Sequence, residues 1–110
     1  MIISGGFNIY SSDLEAQLCQ HAAVSEGSVV GVPSAQWGET PIAFVVRRVG
    51  EDISAVGLRE WINARVSKTQ RLADLICVHE LPRNALGKIL KRELRERYLI
   101  EHPGAFHEEI

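Results

Sequence analysis

The 110-residue sequence is poor in several residue types, with two cysteines, one methionine and four prolines. Cys19 and Cys77 are far apart and form no CxxC pair, so neither a thiolate metal cluster nor a secreted disulfide framework is available. Charge of one sign is also missing. Twelve Lys and Arg face 14 Asp and Glu, a net charge of -2, without the basic field of a dedicated nucleic-acid binder. No apolar run approaches the roughly 20 residues that cross a bilayer, and the start lacks the basic and apolar segments of an export signal. His21, His79, His102 and His107 show no metal-ligand spacing, and neither a Ser-His-Asp set nor paired carboxylates can be assembled. These deficits point to a cytoplasmic chain with reduced thiols, no transmembrane segment and no nucleic-acid partner. What is present is 45% apolar and 24% charged residues, enough for one domain that buries about two-thirds of its unfolded surface without a staple.

The apolar periodicity predicts an α+β fold, a small three-stranded sheet flanked by helices and preceded by a two-stranded β-ribbon. Two apolar runs around Gly5-Gly6 read as the ribbon. Ser12 and Glu15 have the spacing of a capping box, opening a helix from about Asp13 to His21. Ser28 to Val32, stopped by Pro33, and Pro41 to Arg48 read as central strands, joined by a polar loop that carries Trp37. Ser54 to Val66 has an amphipathic stripe of Val56, Leu58, Trp61, Ile62 and Val66, and Leu75 to Val78 reads as a third strand. A last helix is expected over Ile89 to Leu99, with Lys91, Arg92, Arg95 and Arg97 facing water and Glu93 paired with Arg97.

The sharpest local feature is Asn84-Ala85-Leu86-Gly87-Lys88-Ile89, a lysine after a glycine turn at the expected start of that helix. A cation there faces the positive helix end, at a cost on the order of several tenths of a kcal/mol, which a visiting anion would explain. An ordinary solvated lysine after a turn is the alternative. The segment is not a Walker motif, because Pro82 and Ile89 stand where that motif needs Gly and Ser or Thr. Gly5-Gly6 serves either the backbone of a hairpin or the close passage of a ligand. Trp37 is either a loop anchor or a flat platform for a purine ring. Arg47, Arg48 and Arg71 are solvated charge unless several converge on phosphate.

Taken in order, Ile2-Ile3-Ser4-Gly5-Gly6-Phe7-Asn8-Ile9-Tyr10, Asp13-Leu14-Glu15, Val30-Gly31-Val32-Pro33 with Trp37-Gly38-Glu39, and Leu81-Pro82-Arg83-Asn84-Ala85-Leu86-Gly87-Lys88-Ile89 closely resemble the C-terminal domain of AMP-forming acyl-CoA synthetases. The resemblance runs to about Leu99 and makes residues 1–100 a lid domain and 101–110 a loose tail. It implies an N-terminal adenylating domain as partner, with ATP, CoA and a carboxylic acid as substrates and Mg²⁺ held by ATP and that domain. The acid attacks the α-phosphate to give an acyl-adenylate and pyrophosphate; the lid then turns, and CoA thiolate displaces AMP.

Within that resemblance Lys88 matches the adenylation lysine, Gly6 a glycine of the pantetheine tunnel supported by Gly5, Trp37 an aromatic that stacks on the adenine of CoA, and Arg71 a contact to its phosphates. Thr69-Gln70-Arg71-Leu72 departs from the aromatic-Lys-x-Pro segment common in the family, and Ser11 stands where proline is usual. The hinge about which the lid turns corresponds to the position just before Met1, so a piece of a longer enzyme, inactive alone, is expected. Two other readings are a lid that delivers to a carrier protein instead of CoA, and a polyanion-binding module using the basic last helix.

Overall fold

The computed structural model describes residues 2–34 and 38–101, and their elements run β1 (Ile2–Ser4), β2 (Phe7–Ile9), α1 (Ser11–Leu18), β3 (Val24–Ser34), β4 (Gly38–Arg47), α2 (Ala55–Asn63), a 3₁₀ turn (Lys68–Gln70), β5 (Asp74–Val78) and α3 (Lys91–Glu101). The expected loose tail lies, apart from Glu101, outside the described residues. The three-stranded sheet is β3-β4-β5: β4 pairs antiparallel with β3 along its whole length and parallel with β5, from Ile42↔Asp74 to Val46↔Val78. The ribbon joins the same sheet through one antiparallel pair, Ser4↔Gly38.

Helices cover both faces of the sheet. Ala43 and Val45 pack with Leu14 and Leu18 of α1 and Leu58 and Ile62 of α2, together with Val29 and the ribbon residues Ile2 and Ile9. Ile42 and Phe44, with Val30 and Val32, face Leu81 and the α3 residues Leu94 and Tyr98. Burial on both sides explains why β4 reads as a continuous apolar run rather than an alternating one. Within α2, the Ser54 hydroxyl accepts from the Gly57 N–H at 2.9 Å and starts the helix. Of its expected stripe, Leu58 and Ile62 are buried and Val56 is exposed. Trp61 is half-buried, with the His21 ring edge-on at 4.8 Å and the Arg65 guanidinium 4.1 Å over its face.

Several expectations are corrected by contacts between distant residues. Helix α1 starts at Ser11, after Tyr10, and has no side-chain cap. Glu15 is drawn away from the helix end: its carboxylate accepts from the Val29 N–H at 2.9 Å and meets the Lys91 ammonium at 2.7 Å. Lys91, expected in water, also donates to Ser11 Oγ at 3.1 Å and to the Val29 carbonyl at 3.2 Å. The pair formed along α3 is Arg92–Glu96 rather than Glu93–Arg97. Pro33 does not stop β3, which continues to Ser34. The N–H and C=O of Val29 point away from β4, and Pro33 has the same parity, so its missing N–H falls on the free edge where no ladder bond is lost.

Candidate functional site

Beyond Val78 the chain forms a narrow turn that presents Lys88. Arg83 and Ile89 bridge antiparallel, the Leu90 N–H donates to the Pro82 carbonyl at 2.8 Å, and the Asn84 N–H donates to the Lys88 carbonyl at 3.0 Å. Inside the turn, Asn84 Oδ1 accepts from the Leu86 N–H at 2.9 Å and from the Lys88 N–H at 3.0 Å. Gly87 supplies a φ of 85°, and its N–H donates to the Asn84 carbonyl at 3.0 Å. Arg83 ties the base of the turn to Glu26 at the start of β3.

This corrects the position expected for Lys88. The glycine is left-handed and the bridge holds Ile89 extended, so helical backbone resumes only at Lys91. The helix-end cost assigned to the Lys88 ammonium does not arise there. The lysine is exposed and has no ion pair among the described residues, whereas Lys91, three positions on, is fully engaged.

The second candidate group lies at the other end of the strands. Gly5 and Gly6, at φ 57° and 84°, make the two-residue turn of the ribbon, which Ser4↔Phe7 closes. This turn borders a cleft of about 460 Å³ shared with Phe7, Thr40, Lys68 and Arg71. The cleft's far wall is set by local bonds: Ser67 and Gln70 cap the 3₁₀ turn reciprocally, and the Asn63 side chain brackets Leu72, donating to its carbonyl at 3.0 Å and accepting from its N–H at 2.7 Å. Arg71 thereby lines the same cleft as Gly5, and Lys68 and Phe7, which the sequence reading did not single out, join them. Trp37 lies outside the described residues.

Glu26, which anchors the Lys88 turn, and Ser34, opposite the Gly38 that receives the ribbon, are eight residues apart on one strand, or about 26 Å at 3.3 Å per residue. The structure thus unites Gly5 with Arg71 and keeps Lys88 at the opposite end. Among the described residues no three His, Cys, Asp or Glu side chains converge as a metal site would require, and no helix is long and apolar enough to cross a membrane.

Residues 13–88 match the family "AMP-binding enzyme C-terminal domain". This chain belongs to that family. A 2-succinylbenzoate–CoA ligase of Geobacillus sp. (strain WCH70) is 38% identical over 96 residues, covering 87% of this chain and 20% of the relative. The long-chain-fatty-acid–CoA ligase FadD13 of Mycobacterium tuberculosis (strain H37Rv) is 39% identical over 98 residues, 89% of this chain and 19% of the relative. Among solved structures, o-succinylbenzoate CoA synthetase from Bacillus subtilis in complex with its acyl-adenylate intermediate superposes with a TM-score of 0.77 at 37% identity, covering 86% of this chain and 19% of that one. The chain therefore spans about a fifth of the length of the proteins it matches.

Proposed function

We propose that this chain is the mobile lid of an AMP-forming acid:CoA ligase, working against an N-terminal domain that binds Mg-ATP and the acid. The observation that carries the reading is the separation of its two candidate groups. An exposed lysine with no ion pair among the described residues stands at one end of the sheet and a glycine turn with a basic cleft at the other, and the β3 residues that mark those ends, Glu26 and Ser34, are about 26 Å apart along the strand. Groups so distant serve one reacting carbon only if the domain turns between two steps.

In the first orientation the Lys88 ammonium approaches the acid and α-phosphate and stabilises the charge that develops there. In the second, Gly5 and Gly6 pass close to the pantetheine arm, and Arg71 with Trp37 meets the nucleotide end of CoA. The CoA ligases among the relatives favour CoA over a carrier protein as acceptor. The net charge of -2 disfavours a polyanion-binding module. The relatives' names include both an aromatic and a long-chain acid, so the acid is a property of the remainder of the enzyme.

Lys88→Ala in the full-length enzyme should slow adenylation at least about a hundredfold, roughly 3 kcal/mol of transition-state stabilisation. Thioester release from preformed acyl-adenylate and CoA should change far less. Equal loss in both half-reactions would remove Lys88 from this role. Gly6→Leu should do the reverse; because φ of 84° is strained for any L side chain, Gly6→Ala is the control for strain, and the loss beyond it comes from what passes outside, since a first side-chain carbon there meets nothing within 4 Å among the described residues.

A further inference from the structure

We infer that Asn84 is a positioning residue for Lys88, acting through the oxygen of its side chain. The inference rests on the reading of Lys88 given above. An exposed turn of five residues between Arg83 and Ile89 has no core to hold it, and Leu86 at its tip is 93% exposed. The order of the turn must come from hydrogen bonds. Asn84 supplies most of them: its side-chain oxygen accepts from the N–H groups of Leu86 and Lys88, its own N–H donates to the Lys88 carbonyl, and its carbonyl accepts from Gly87. Lys88 is thus gripped at both its N–H and its C=O by one residue.

The two backbone-to-backbone bonds survive any substitution at this position except proline. The two bonds to Oδ1 do not, and one of them ends on the Lys88 N–H. Without that acceptor the turn keeps its bridge but the lysine's backbone is free to rotate about one contact. A long, flexible side chain projects that freedom over several ångströms, and misplacement by about 1 Å can cost a catalytic group up to about a hundredfold. Asparagine suits the place because its side chain bonds the N–H two residues on, as Asx turns do, and aspartate has the same acceptor.

The test uses the full-length enzyme with Lys88→Ala measured alongside. Asn84→Ala should lower the kcat of adenylation about tenfold, leave the KM for ATP and acid within twofold, and leave thioester release from preformed acyl-adenylate unchanged. Asn84→Asp should stay within about threefold of the parent in all three. If Lys88→Ala slows adenylation but Asn84→Ala does not, the positioning role is wrong and the reading of Lys88 stands. If alanine and aspartate at position 84 act alike, or both half-reactions fall together, the side-chain oxygen is not the agent and the inference fails. If Lys88→Ala leaves adenylation intact, the role of Lys88 falls and that of Asn84 with it.

Discussion

A single hydroxyl illustrates how little of the interior is polar and how much each polar atom matters. Ser28 is fully buried opposite Phe44, and its Oγ has no partner among the described residues. A buried hydroxyl without a partner costs about 1–3 kcal/mol relative to water. Ser28→Ala should therefore leave stability unchanged or raise it by up to about 1 kcal/mol, read from the urea midpoint at constant slope. A loss larger than that would reveal a bond to the hydroxyl. Gly87 is the opposite case, since its backbone and not its surroundings makes it necessary. A methyl group there meets nothing within 4 Å, but φ of 85° is strained for any L side chain. Gly87→Ala should cost about 1 kcal/mol by the same measurement while the sheet's circular dichroism is unchanged.

At the level of elements, α1 and α3 lie on opposite faces of the sheet and meet around the edge of β3, where Glu15 and Lys91 join. Both side chains are partly exposed, so Glu15→Gln should cost only about 1 kcal/mol, less in high salt than in low salt. An equal loss at both ionic strengths would mean that packing, not charge, holds the joint. This joint also marks the limit of what the residue order announces. Gly5-Gly6 was legible because positive φ is a local demand that two adjacent glycines state outright. The strand cores were legible because apolar β-branched runs pack one way. Glu15 reads as a cap of its own helix because its partners, Val29 and Lys91, are 14 and 76 positions away. Lys88 reads as helical because Ile89, Leu90 and Leu94 keep helical spacing. The bond from Leu90 to Pro82 and the bridge from Arg83 to Ile89, neither visible in periodicity, delay that helix to Lys91.

For the whole molecule, the proposed chemistry needs two ends and a turn between them, and among the described residues no three His, Cys, Asp or Glu side chains converge on a metal site. The chain alone, given ATP, CoA and a panel of acids, should release no pyrophosphate above background; clear turnover would overturn its reading as a lid. Among the described residues β3 pairs with β4 alone, so its other side is an outer border of the sheet. The outer border of a sheet is a rail onto which other extended chains, its own copies included, can zip. Here the rail is interrupted at two places. At Val29 one carboxylate and one ammonium take the two places a neighbouring strand would fill, and two residues further than Gly31 a proline offers no donor at all. The same Glu15–Lys91 clasp that joins two helices thus stands in for a strand at Val29, and a second copy pairing along this border would first have to displace it.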